Sequence, residues 1–359
     1  MNLVMTKVEK LAAALPQEVD GAIITSPHNR RYLTGFPSSA GLVLVTKQTA
    51  YFLTDFRYIE AAKRVVLDME CVEYKKRAET LRQLIKRHGL SSIAVEDEGL
   101  TRYDFSQLDS ALETVQLRGG ILDGILKQLR LVKTAEELEK IRQAQALTDF
   151  GFNYILSHMK PGRTEREIAL ELEFALRRQG AEATAFDIIV VAGENSSLPH
   201  GVPSERALTK GDLVTMDFGA MVDGWCSDMT RTIAVGCCSE EQRHVYHTVL
   251  DAQEAALSVL RGGLSCVQGD AAARDIISAA GFGDCFGHGT GHGVGVEIHE
   301  APRLSPTAGD ETLQVGSVVT VEPGIYLPGR FGVRIEDMVC ITQNGCENLT
   351  ASPKSLMVV

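Results

Sequence analysis

The sequence predicts an α+β chain of two domains. A smaller α/β domain covers residues 1–125, and a larger one covers residues 126–359, whose two halves repeat one order of elements. Three observations support this. Short extended and helical segments alternate through the first third. Gly119, Gly120 and Gly124 then interrupt the pattern. Beyond them the order helix, glycine-containing break, helix, strands occurs twice.

In the first domain, residues 1–20 mix Lys7, Glu9 and Lys10 with apolar side chains and read as an amphipathic helix, not a secretory signal. Gly21 to Thr25 reads as a strand. Gly41 to Val45 and Ala50 to Thr54 read as two more, joined by a polar turn at Lys47-Gln48. Tyr58 to Val66, Ala78 to His88 and Tyr103 to Leu112 read as helices, with a strand at Ser92 to Val95. No glycine-rich phosphate turn follows any of these strands. Asp55, Arg57 and Tyr58 gather at a strand end and read as a solvated loop. This domain is expected to shape access or assembly and to carry no chemistry.

In the second domain, Thr134 with Glu137 makes a capping box. Its helix carries Leu138, Ile141, Phe152 and Ile155 on one stripe, and Pro161-Gly162 ends it. Thr164 with Glu167 opens the next helix, with Ile168, Leu172, Ala175 and Leu176 inward. Phe186 to Val191 reads as a strand. Ser239 with Gln242 then starts the second round, with Val245, Val249, Ala252, Ala256 and Val259 inward. Gly262-Gly263 breaks it, a helix follows from Gly269 to Ala280, and strands run through His292, Glu322 and Glu336. This order suggests a pseudo-two-fold domain in which each half delivers side chains to a shared sheet floor, with helices on one side.

With 47 acidic against 36 basic residues, the net charge of -11 argues against nucleic acid or an anionic membrane as partner. No apolar run is long enough to span a bilayer. The 8 cysteines show neither C-x-x-C nor zinc-finger spacing and read as reduced thiols of a cytoplasmic protein.

The chemistry gathers in the second domain. Val214 to Thr232 reads as a β-hairpin with its turn at Asp223-Gly224, because both turn positions need φ > 0. Counting outward pairs Val222 with Trp225 and Asp217 with Thr230. Asp228 then shares a face with Asp217, about 7–8 Å away diagonally, close enough to grip a cation. The alternative is a solvated edge hairpin. Cys226 falls on the same face, as a site neighbour or a packed small residue.

Residues 286–300, FGHGTGHGVGVEIHE, place His288, His292 and His299 among glycines too frequent for a helix. The segment fits neither Gly-x-Gly-x-x-Gly nor His-Glu-x-x-His. Glu322 ends one apolar run and Glu336 stands inside another, costly places for a carboxylate without a partner. Ion pairs with Arg334, Arg330 or Arg303 are one solution, and a metal is another.

Asp-Phe-Gly-Ala, Ser-Asp-Met-Thr-Arg-Thr, Gly-His-Gly-Thr-Gly-His-Gly-Val-Gly, Glu-Pro-Gly-Ile-Tyr and Arg-Ile-Glu-Asp together resemble the motifs of the aminopeptidase P and Xaa-Pro dipeptidase (prolidase) family. Val222 and Trp225 stand where that family often has tyrosines, a departure that touches the turn alone. The resemblance implies a pita-bread catalytic domain behind a creatinase-like N-terminal domain. It implies two divalent metal ions, Mn²⁺ first, with Co²⁺, Fe²⁺ or Zn²⁺ as options, held by Asp217, Asp228, His292, Glu322 and Glu336. In that arrangement Asp228 and Glu336 bridge the ions, and a bridging hydroxide attacks the scissile carbonyl of an Xaa-Pro bond. The resemblance gives His200, His299, Glu322 and Arg334 catalytic roles: the two histidines at the substrate carbonyl or the tetrahedral intermediate, Glu322 as proton acceptor, and Arg334 orienting Glu336 or binding a substrate carboxylate. It gives His288, Arg303 and Tyr326 contacts with substrate. The expected partners are proline-containing peptides and a second copy of the chain in a homodimer. A non-catalytic binding module and a methionine aminopeptidase are the rival readings. The intact ligand set speaks against the first, and the extra N-terminal domain against the second.

Overall fold

The structure, a computed structural model, describes residues 5–359; the first residues of the expected N-terminal helix lie outside that range. The chain forms two compact units, one ending at Arg130 and one beginning at Leu131.

The first unit opens with α1 (Lys7–Ala14), started by a Thr6–Glu9 capping box. There follow β1 (Gly21–Ile24), α2 (Pro27–Thr34), β2 (Leu42–Thr46), β3 (Ala50–Thr54), α3 (Ile59–Val65), β4 (Glu70–Glu73), α4 (Arg77–His88), β5 (Ser92–Val95), α5 (Arg102–Ala111), β6 (Gln116–Arg118) and α6 (Leu122–Leu131). The strands make one mixed sheet in the order β4-β3-β2-β1-β5-β6. Ile23, Leu44, Leu53, Ile93 and Val95 bury against Leu81, Leu84, Ile85 and Leu108 of the helices. Asp55 and Arg57 pair with each other at 2.6 Å on a solvated loop. α2, β4, β6 and α6 were not expected from the sequence. Gly124 is helical, and the expected domain boundary at residues 125 and 126 falls inside α6.

The second unit continues with α7 (Ala135–Leu156), α8 (Glu165–Arg178), β7 (Ala183–Thr184), β8 (Ile189–Ala192), β9 (Leu213–Phe218), β10 (Ala220–Val222), β11 (Trp225–Cys226) and β12 (Met229–Ala234). The second round is α9 (Glu240–Val259), α10 (Cys266–Ala279), β13 (Gly291–Gly293), β14 (Glu300–Leu304), β15 (Val318–Val321), β16 (Gly324–Leu327), β17 (Phe331–Arg334), β18 (Asp337–Ile341) and β19 (Cys346–Asn348). All three expected capping boxes form. The repeat is real in packing as well as in order. Phe152, Ile155, Ile168 and Leu172 close on Val190, Val214 and Met216 in one core. Val245, Val249, Ala252 and Ile277 close on Val319, Val321 and Val339 in the other. Leu138 and Val259, the outermost members of their stripes, stay half-buried.

Each half contains one long antiparallel hairpin that opens at a crease. In the first, Val222 pairs with Trp225 across a turn with positive φ at Asp223 and Gly224, and Asp217 pairs with Thr230. The register holds throughout, but the ladder parts at Gly219 and Asp228, and the two ends join different sheets. The backbones nearly touch there: a Cβ on Gly219 would lie 1.8 Å from the Ser227 carbonyl oxygen. In the second hairpin, Val321 pairs with Asp337 and Gly324 with Arg334. Carrying that register across the gap sets Glu322 opposite Glu336. Glu336 is therefore not inside a strand, as the apolar run suggested, but in the break between two.

Among the described residues no helix is long and apolar enough to cross a membrane. The eight cysteines form no disulfide.

Candidate metal centre

Both creases, together with the glycine-rich segment, deliver their polar side chains to one place. His292 Nε2 lies 3.5 Å from Asp228 Oδ2 and 3.3 Å from Glu322 Oε1. One ligand atom each of Asp228, His292 and Glu336 fall within 4.8 Å of one another. Asp217 approaches from β9. Thr230, its partner across the ladder, donates its hydroxyl to Glu336 Oε2 at 2.7 Å.

The arginine solution to these buried acids does not hold for three of them. Arg330 pairs with Glu241. Arg303 offers Glu311 only its backbone amide, and among the described residues its guanidinium has no ion pair with Glu322 or Glu336. Arg334 pairs with Asp217 at 2.6 Å, not with Glu336. Its guanidinium is otherwise committed to Thr230, Tyr326 and the Pro199 carbonyl. It therefore reaches Glu336 only through the Thr230 hydroxyl and makes no ion pair with it. Among the described residues, Asp228, Glu322 and Glu336 have no lysine or arginine ion pair, and Asp217 Oδ1 and Glu336 Oε1 are buried without a hydrogen-bond partner.

The electrostatics follow. Burial, then the charges of Glu336, Asp217 and Glu322, pushes the Asp228 carboxyl far above its ordinary range. Burial, with Glu322 and Asp217 beside it, does the same to Glu336. Burial raises Glu322 to about 8. His292 is pulled down to about 3, by burial first and then by His299 and Arg303. Its Nδ1 lies 3.1 Å from the Gly293 carbonyl. A carbonyl can only accept, so Nδ1 carries the proton and Nε2 turns a free lone pair toward the acids. Orphaned carboxylate oxygens, mutual repulsion and a neutral imidazole fit divalent cations with a preference for oxygen.

The glycine-rich segment is held from α10. Asp270 accepts from the Thr290 amide at 2.9 Å, and Arg274, paired with Asp270, donates to the His288 carbonyl at 2.7 Å. A Cβ on Gly291 would lie 1.9 Å from the Thr320 oxygen, so β13 can pass β15 only as bare backbone. Behind the second crease, Arg231 and Asp337 form an ion pair at 2.7 Å with both side chains essentially sealed from solvent. Arg231 also donates to the Glu336 carbonyl. Thr230, Arg231 and Asp337 fall inside the Ser-Asp-Met-Thr-Arg-Thr and Arg-Ile-Glu-Asp stretches without an assigned role, and Asp270 and Arg274 lie outside every motif. The one local signal was the four-residue spacing of Asp270 and Arg274 on a helix face.

A cavity of about 760 Å³ opens over the cluster, lined by all five ligand candidates and by His200, His288, His299, Arg303 and Arg334. The His299 ring meets that of His292 edge-on at 4.4 Å, and burial lowers its pKa. Burial holds His288 at about 4. Tyr326, expected to touch substrate, does not line the cavity. Its hydroxyl is captured by Arg334 at 2.8 Å and His288 Nε2 at 2.9 Å, which turns it away. Cys226 is packed, with its amide donating to the Gly295 carbonyl at 2.8 Å.

A cleft floored by clustered acids and one histidine, in a unit built of two like halves, defines a metallopeptidase. Residues 139–343 match metallopeptidase family M24, and residues 7–132 match the creatinase/prolidase N-terminal domain. The chain belongs to metallopeptidase family M24, and its second unit has the pita-bread fold. It is 37% identical over 360 residues to a Xaa-Pro dipeptidase of Pyrococcus furiosus, covering 98% of this chain and 99% of that one. A solved Xaa-Pro dipeptidase from Bacillus anthracis superposes with a TM-score of 0.95 at 42% identity, over 98% of this chain and 99% of that one. An X-Pro aminopeptidase from Thermotoga maritima gives 0.90 at 38% identity, over 95% and 98%.

Proposed function

We propose that the protein hydrolyses the peptide bond between an N-terminal residue and a following proline, using two divalent cations. The observation that carries this reading is the group of buried, mutually repelling carboxylates with orphaned oxygens beside a neutral histidine. The names of its relatives support the substrate class.

Asp217, Asp228, His292, Glu322 and Glu336 would hold the ions. When bound, divalent cations supply a water of lowered pKa and polarise the scissile carbonyl. The chain's own groups do the rest. His200 and His299, both in the cavity wall, donate hydrogen bonds to the oxygen on which negative charge develops. His299 is neutral near pH 7 and so presents one N–H and one lone pair. Glu322 takes the proton released by the attacking water and returns it to the leaving nitrogen. Arg334 holds Asp217 in place. Arg303 meets the substrate's carboxylate side, and His288 lines the proline side.

The test is to strip the protein with a chelator, offer Ala-Pro and Ala-Pro-Ala, and restore Mn²⁺. Metal-dependent cleavage is expected. Cleavage of the dipeptide alone marks a dipeptidase, and cleavage of the tripeptide an aminopeptidase. Absence of both sinks the reading in favour of a binding module.

A further inference from the structure

Glu165 is fully buried, does not line the cavity, and belongs to no motif discussed so far. It is the first residue of α8, directly after the Thr164 cap. Its carboxylate faces the loop that follows β8, the loop that carries His200. Oε1 accepts from the Ala192 amide at 2.7 Å and from Asn195 Nδ2 at 3.1 Å, where the loop departs. Oε2 accepts from the Ser204 amide at 3.0 Å and the Ser204 hydroxyl at 2.6 Å, where the loop returns. One carboxylate thus closes both feet of the loop. Backbone bonds tighten the returning foot, from Arg166 to Ser204 and from Glu165 to Arg206.

The crown of the loop is fixed at two further points. Ser196 Oγ accepts from the Gly332 amide at 2.8 Å, and the Pro199 carbonyl accepts from Arg334 at 3.2 Å. Between and beyond these points, Pro199, His200, Gly201, Val202 and Pro203 form one wall of the cavity. His200 itself is exposed and takes its position from the backbone beneath it. A buried carboxylate needs its donors, and these donors sit at the loop's two ends.

We propose that Glu165 is a positioning residue that acts through His200, its carboxylate clasping the loop of residues 192–204 so that His200 stands over the cavity. The proposal rests on the reading of His200 as a group that meets the substrate.

The test uses the Mn²⁺-loaded protein with Ala-Pro, Glu165→Gln, and Ser204→Ala as a milder variant that leaves the helix untouched. Hydrogen exchange of the amides at 193–205 is expected to quicken in both while the rest of the chain keeps its protection. In Glu165→Gln, kcat is expected to fall about 10-fold with KM nearly unchanged, as a small displacement of a transition-state donor would produce. Metal content by elemental analysis stays at the wild-type value, and in a His200→Ala background Glu165→Gln costs nothing more. Should Glu165→Gln fail to fold, Ser204→Ala must show the same pattern at smaller amplitude. Unchanged protection of the loop overturns the clasp, and an equal loss of rate in the His200→Ala background overturns its action through His200. A fully active His200→Ala variant overturns the proposal through the reading on which it rests.

Discussion

At the scale of the residue, each role turns on which partner a side chain already has. Among the described residues Asp228 and Glu336 have no lysine or arginine to neutralise them, so their worth lies in what they bind. Replacing Asp228 by Ala should lower kcat/KM for Ala-Pro by more than about 100-fold and deplete bound metal, checked by steady-state rates and elemental analysis. His299→Ala should lower kcat by roughly 100-fold or more at full metal content, as removal of an oxyanion donor does. Loss of metal in that variant would show that His299 is a ligand. The acids and the histidines were legible because type and order carry information even when distances do not. The partners of Arg334 and Tyr326 were not legible. The sequence places both near the site, but only the packed interior decides that the guanidinium takes Asp217 and that the phenol turns to His288.

At the scale of the element, turn chemistry travelled far. Positive φ at Asp223 and Gly224 fixed the register down to Asp217 opposite Thr230. The creases were not legible, because the ladder parts for a tertiary reason: its two ends enter different sheets. The helix α2 was missed for a related cause. Its buried face includes Asn29, Arg30 and Thr34, so no apolar stripe announces it. Glu96, reaching across from the end of β5, accepts from Asn29 at 2.8 Å and from the Ser26 amide at 2.8 Å. Two glycines show opposite uses. Gly291→Ala should destabilise by about 1–3 kcal/mol or more, since its Cβ would meet the Thr320 oxygen. Gly124→Ala, helical with open space around it, should stabilise by about 1 kcal/mol. Denaturant midpoints at constant slope would check both.

At the scale of the whole molecule, the two halves lend their acids to one cluster, so cations bound there would link binding to folding. In the metal-free protein the carboxyls of Asp228, Glu322 and Glu336 hold protons that the unfolded chain, with ordinary values near 4, gives up. The folded state therefore binds more protons than the unfolded one, and stability falls as pH rises from about 4 toward 8. Divalent cations displace those protons and reverse the trend. The gap in Tm between Mn²⁺-saturated and chelated protein should widen steadily between pH 5 and pH 8. At ion concentrations near 100 times Kd each bound ion should add about 2.7 kcal/mol of stability, a shift of several degrees. A gap independent of pH would mean that the cluster does not hold the ions.

The openings in the two hairpins have a consequence for how such a protein can change over generations. Asp228, Glu322 and Glu336 stand where no rung joins the strands, so no ladder pairing depends on their side chains. Exchanging them for uncharged side chains would relieve crowding of like charge while leaving every paired strand as it was. Descendants that abandon catalysis and keep the cleft for recognition thus lie downhill in stability from the metal-free protein, and it is selection for turnover that holds this chain on the slope.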